Sequence, residues 1–168
     1  MKGRKLFYLI ASLVLPVAVF LFLKFFGRNE FSVPPLFQSE AELPDSLCRY
    51  RYDWPYAIPD SVRASLPFDA RIELVVVTFL PAEGNAGGGD RLVRRAEAMF
   101  GDDPVAFKRM GDAGPDSDTL RRCVFLLSGK ATVALVDSVG RIRGQYDAAS
   151  LEDIDRMTVE LKIILGKY

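Results

Sequence analysis

The run Arg71-Ile72-Glu73-Leu74-Val75-Val76-Val77-Thr78-Phe79-Leu80 constrains this chain most. It is apolar without alternation from Leu74 to Val77 and rich in β-branched residues. A strand with one solvated face alternates; an unbroken apolar run is covered on both faces, so it predicts a central, parallel strand. It leads into Pro81-Ala82-Glu83-Gly84-Asn85-Ala86-Gly87-Gly88-Gly89-Asp90, a glycine-rich loop opening towards a helix. In many α/β proteins that junction carries the chemistry. Here it holds small residues and little else.

The loop is a poor phosphate cradle. A P-loop places a lysine and a Ser/Thr straight after its last glycine, so that ammonium and hydroxyl reach phosphate and magnesium. Asp90 and Arg91 follow Gly89 instead. A carboxylate near a helix N-terminus occupies the free amides and repels an anion. A Rossmann G-x-G-x-x-G is absent as well.

Charge divides the chain unevenly. Five of its 22 basic residues, Lys2, Arg4, Lys5, Lys24 and Arg28, fall in the first 28 positions, which hold no acid. The remainder sets 17 basic against 22 acidic residues. That part has no basic patch, so a nucleic-acid partner is not expected. The chain contains no histidine, the commonest general base and metal ligand. It has two cysteines, Cys48 and Cys123, too few for a structural zinc site.

Leu6 to Phe26 is apolar apart from Lys24. It is long enough as a helix to cross a hydrocarbon core of roughly 30 Å. Lys2, Arg4 and Lys5 precede it, so the positive-inside rule keeps the N-terminus in the cytoplasm. A cleaved signal peptide is the rival, disfavoured by the length of the run and the lack of a small-x-small site. The expectation is an uncleaved inner-membrane anchor with the rest of the chain facing the periplasm. The membrane would then be a partner through Leu6 to Phe26.

The expected organisation is a basic tip and anchor over 1–28, a proline-containing tether over 29–47 and one domain over 48–168. Within the domain, Cys48 to Trp54 predicts a short strand. Asp90 is a candidate N-cap for a helix with Leu92, Val93, Ala96, Met99 and Phe100 on one face. Pro104 to Met110 predicts a strand. Thr119 to Leu127 predicts a short helix, with a strand as the alternative. Thr132 to Asp137 and Arg141 to Tyr146 predict a hairpin across Ser138-Val139-Gly140. Ser150 caps a last helix carrying Ile154, Met157, Leu161 and Ile164. The order from Arg71 is β-α-β-α-β-β-α. By analogy, this is the layout of a thioredoxin-like three-layer α/β/α domain, here behind an N-terminal single transmembrane helix.

A redox enzyme of that layout carries Cys-x-x-Cys where this chain carries its glycine loop, and a proline before the strand matched by Thr132 to Asp137. Neither is present. For Cys48 and Cys123 three readings stay open: a structural bridge, two separate buried thiols, or a functional redox or copper pair. A bridge closing a loop of this length would contribute on the order of 4 kcal/mol. The acids Asp147, Glu152, Asp153 and Asp155 read as capping and dipole matching. Trp54, Tyr50, Tyr52 and Tyr56 read as packing against the sheet. Without histidine no Ser-His-Asp or Cys-His set exists.

Ala134 to Leu165, "ALVDSVGRIRGQYDAASLEDIDRMTVELKIIL", resembles the end of Sco/SenC-type proteins. The strand ending in Asp, the turn into Gly-Arg-Ile-Arg-Gly, the aromatic-Asp pair and the Glu-x-x-Asp-Arg helix carry the resemblance. "PYAIPD", Pro55 to Asp60, fits the same layout. The resemblance implies a thioredoxin-like domain tethered at a membrane. It also implies copper delivery to, or thiol reduction in, the CuA site of cytochrome c oxidase. The family's site is a Cys-x-x-x-Cys pair and a histidine. Register puts those three positions near Glu83, Gly87 and Gly129, none of them a ligand. Soft Cu(I) takes thiolate or imidazole. No catalytic residue, metal ligand or cofactor is therefore expected, and the site is degenerate. The implied function is a membrane-anchored, non-catalytic binding or scaffold module with respiratory oxidase subunits as partners. A thiol-disulfide oxidoreductase or copper carrier using Cys48 and Cys123 is the alternative.

Overall fold

The computed structural model describes residues 2–26, 32–40, 48, 52–80, 87–110 and 115–166. The chain divides into two units, Met1–Ser32 and Val33–Tyr168.

The first unit holds one helix, α1 (Lys2–Phe26), with Pro16 inside it. Among the described residues no helix is long and apolar enough to cross a membrane. This corrects the transmembrane expectation for Leu6 to Phe26, and with it the single-pass inner-membrane location and the periplasmic domain. The membrane reading drawn from the apolar run and its flanking charges is not carried by α1. Pro16 within it lacks the N–H that would continue the ladder.

The second unit is a mixed α/β structure. Its order is α2 (Asp60–Arg63), β1 (Leu74–Phe79), α3 (Gly87–Met99), β2 (Val105–Met110) and α4 (Pro115–Thr119). A π-helical turn (Leu120–Val124), β3 (Val133–Asp137), β4 (Ile142–Tyr146) and α5 (Leu151–Ile164) follow. The four strands lie in the order β2-β1-β3-β4. β1 pairs parallel with β2, Leu74 opposite Val105, and antiparallel with β3, Leu74 opposite Asp137. β3 and β4 form an antiparallel hairpin with a register shift at Leu135/Val136. The expected fold class, a thioredoxin-like three-layer domain behind a transmembrane helix, is thus corrected to a mixed α/β chain. It has a four-stranded sheet and five α-helices, none of them membrane-spanning among the described residues.

All six residues of β1 are buried because helices or loops cover both faces. On one face Leu74 and Val76 meet Val133, Leu135 and Tyr146, under Val93, Ala96 and Phe100 of α3 and Ile154, Met157 and Leu161 of α5. On the other, Val75, Val77 and Phe79 meet Ala134, Val136 and Ile142, under Tyr56, Ile58, Leu66 and Phe125 to Leu127. Each buried Val, Leu, Ile, Phe or Met among them contributes about 1.5–3 kcal/mol over leaving it in water.

Local signals set the element ends. The Ser150 hydroxyl accepts the Asp153 N–H at 3.2 Å and caps α5. The Asp153 carboxylate reaches back to the Asp147 N–H at 2.8 Å. Asp90 does not cap α3. The helix already begins at Gly87, and the Asp90 carboxylate turns to Arg94 at 2.7 Å and Arg109 at 3.2 Å. The hydrogen bond from Arg94, aided by the Arg109 charge, holds its pKa below the usual carboxylate range.

Two expectations gave way to longer-range contacts. No strand forms among the described residues of 48–54; this segment is tied to the π-helical turn instead. The tether expected over 29–47 lies outside the described residues at 29–31 and 41–47. Its described part docks on the domain: Phe37 is buried, and the Leu36 N–H donates to the Ile142 carbonyl at 2.7 Å.

Candidate functional site

The end of β1 and the start of α3, the described residues that flank the glycine loop, lie at one end of the sheet. The Phe79 N–H donates to the Thr132 carbonyl at 2.8 Å, which joins the end of β1 to the start of β3. The Thr132 hydroxyl accepts the Ala148 N–H at 3.2 Å. Ala148 in turn meets the first turn of α3: a Cβ on Gly89 would lie 3.1 Å from its carbonyl oxygen. Gly89 is therefore required by close approach of two backbones, a packing role and not a ligand role. The sequence-derived positions fall around this end. Gly87 opens α3, and Gly129 sits in the turn before β3 with φ +55 and open space around it. Glu83 lies outside the described residues.

Chemically this end is quiet. Thr132 spends its hydroxyl on a main-chain contact, and Asp90 is neutralised by two guanidinium groups. Among the described residues no group of three or more His, Cys, Asp or Glu side chains could hold a metal ion.

The two cysteines are joined. Cys48 and Cys123 form a disulfide with Cα atoms 5.5 Å apart, inside the usual bridging range. Cys123 lies in the π-helical turn, whose Leu120 and Val124 pack against the sheet face opposite α3. The structure thus attaches the bridge to one face of the sheet and the glycine-opened helix to the other. The redox or copper pairing of these sulfurs was not placed at the glycine loop by the sequence, and no such convergence is found among the described residues.

Two tyrosines reinforce the bridge. The Tyr52 hydroxyl donates to the Cys123 carbonyl at 3.1 Å, and the Tyr56 hydroxyl to the Val124 carbonyl at 2.6 Å. A π-helical turn leaves its last carbonyls without helical partners, and these hydroxyls supply them. The rings of Tyr52 and Tyr56 pack edge to face at 5.4 Å, with Trp54 6.3 Å from Tyr52. Burial, and then the neighbouring Tyr52, pushes the Tyr56 hydroxyl well above the ordinary tyrosine pKa. Tyr52, Trp54 and Tyr56 thus pack against the core, and Tyr50 lies outside the described residues.

Sequence reasoning placed the β3–β4 turn but missed the Asp137 cluster within it and its link to the segment around Val33. Asp137, 7% exposed, accepts the Val139 and Arg141 N–H groups and the Arg141 guanidinium at 2.8 Å. It also holds Arg143 at 3.5 Å. Arg143 donates through Nη2 to the Val33 carbonyl, while its buried Nε has no hydrogen-bond partner among the described residues. The only sequence signal was the alternating Arg141 and Arg143 after an Asp-ended strand.

At the opposite end of the sheet, an open depression of about 570 Å³ is lined by Asp69, Arg71, Asp102 and Asp103 among others. The Asp69 carboxylate is taken up by the Arg71 and Ile72 N–H groups, which hold its pKa low. No protein-family model and no curated protein matches the chain.

Proposed function

We propose that the chain is a non-catalytic binding module related to the Sco/SenC proteins, acting as a scaffold for subunits of a respiratory oxidase. One observation carries the reading: the chain's only two thiols are consumed in a single bridge, anchored on the sheet face opposite α3. Among the described residues, the β1–α3 end holds one closely packed glycine, Gly89, an occupied threonine and a neutralised aspartate. Such groups position a backbone; they do not bind a soft metal or exchange a disulfide. The family link rests on the Ala134 to Leu165 stretch. There Asp137 organises the hairpin turn and Ser150 caps the last helix, structural tasks that a chain relieved of catalysis retains.

The test uses the full, oxidised chain. Anaerobic titration with Cu(I) against a competing chelator is expected to give no stoichiometric binding. Tight one-to-one binding that survives the double Cys48→Ser, Cys123→Ser change would overturn the non-catalytic reading. Immobilised chain is expected to retain detergent-solubilised cytochrome oxidase subunits; failure to do so removes the oxidase link.

A further inference from the structure

The strap from Val33 to Gln38 sits on the domain as a bound peptide would. Its Leu36 N–H donates to Ile142 of β4 at 2.7 Å, and its Phe37 carbonyl accepts the Tyr56 N–H at 3.1 Å. Its Val33 carbonyl accepts from Arg143. The Phe37 ring is 6% exposed and joins the cluster that includes Tyr56, Ile58 and Ile142. One main-chain hydrogen bond to the edge strand β4, a second to Tyr56 and one buried aromatic anchor are contacts of the kind by which sheet proteins hold extended segments. We propose that this groove is the module's partner site, that the strap is its resident occupant, and that an extended segment with an aromatic anchor and an acidic residue displaces it. This rests on the binding-module reading above.

Two features leave the resident occupant imperfect. Phe37 holds φ +56, a left-handed backbone that a residue with a Cβ adopts only under constraint. A competitor that presents its aromatic side chain from relaxed backbone avoids that strain. Arg143 is incompletely served. Nη1 faces Asp137 at 3.5 Å and Nη2 the Val33 carbonyl, but Nε is buried with no partner among the described residues. Among the described residues, two guanidinium groups, Arg141 and Arg143, share the one Asp137 carboxylate, which leaves one positive charge in excess there. A carboxylate replacing the Val33 carbonyl would meet Nη2 and Nε side-on, the geometry that guanidinium groups favour. The partner segment therefore carries an acid where the strap carries Val33 and an aromatic residue where it carries Phe37.

The probe is a fluorescein-labelled peptide of residues 32–40, with a second peptide carrying Val33→Asp, measured by anisotropy on the full chain. If the strap is closed about nine times in ten, it reduces the apparent affinity about tenfold. Phe37→Ala in the chain is expected to tighten peptide binding by about that factor. Leu36→Pro, which removes one N–H and leaves the ring in place, should act in the same direction. The Val33→Asp peptide should bind more tightly still, and lose that gain on Arg143→Lys. Folded Phe37→Ala and Leu36→Pro chains that bind the peptide no better than the native chain overturn the proposal. If such chains still retain oxidase subunits, the groove fails and the module reading stands. Peptide binding without oxidase retention supports the groove and removes only the assembly role.

Discussion

Gly144 and Tyr146, two residues apart on β4, share one volume: a Cβ on Gly144 would overlap the Tyr146 hydroxyl. That hydroxyl donates to Glu160 of α5 at 2.6 Å, and the Arg156 guanidinium lies 5.0 Å from the ring centre. The glycine lets a tyrosine ring lie along its own strand and tie the sheet to the last helix.

Gly144→Ala is expected to cost about 1–3 kcal/mol, because the ring must shift in a filled core. Tyr146→Phe is expected to cost about 1 kcal/mol, since Glu160 keeps Arg156 as a partner. Urea denaturation of the two variants checks both. A Gly144→Ala chain as stable as the native one would show that the ring has another place to go.

Alkaline pH should weaken the fold. Burial, reinforced at Tyr146 by Glu160, raises the pKa of Tyr56 and Tyr146 above the ordinary value of about 10. Above that value the unfolded chain loses these protons while the folded chain keeps them. Their stabilising contribution is complete below pH 10 and is lost as pH rises towards the folded values. The decline is up to about 1.4 kcal/mol per pH unit for each hydroxyl. Denaturation midpoints from pH 8 to 11 should fall in the native chain and fall less in a Tyr56→Phe, Tyr146→Phe chain. Equal slopes in the two chains would remove these hydroxyls as the cause.

The bridge should be worth several kcal/mol. Closing a loop across a sequence separation of 75 residues limits the unfolded chain by about 4 kcal/mol. The Cys48→Ser, Cys123→Ser chain should unfold at correspondingly lower urea, and the native chain should show no thiol until reduced. A reactive thiol in the oxidised native protein would contradict the bridge.

Asp137→Ala should cost about 3 kcal/mol, because it strips two main-chain donors and two guanidinium groups of their acceptor. Asp137→Asn should cost about half as much, since one amide oxygen can still accept the Val139 and Arg141 N–H groups. Thermal unfolding of the pair gives the ratio; equal losses would mean that the charge carries the whole effect.

Ser150→Ala should cost about 1 kcal/mol through the loss of the α5 cap, read as a lower urea midpoint.

What the sequence disclosed follows the range of the forces involved. Leu74 to Val77, the Val133–Tyr146 hairpin and the Ser150 cap were legible because period and capping act over a few residues. Thr119 to Leu127 was ambiguous for a physical reason. It begins as α4, widens into a π-helical turn and ends at Leu126 with φ +51, a buried leucine in a left-handed conformation. The proline-rich segment before Cys48 read as a tether because nothing local marks Phe37 as buried. Its partners, Ile142 and Arg143, lie far along the chain. The α1 unit was read from hydropathy and flanking charge, and the described helix does not support the anchor drawn from them. At the candidate site, absences were easy to read and pairings were not: Cys48 and Cys123 are 75 positions apart, and only the fold brings them together.

That separation has a consequence for how the protein is made. Cys123 follows β1, α3 and β2 in the chain, so the cross-link waits until the parallel half of the sheet has left the ribosome.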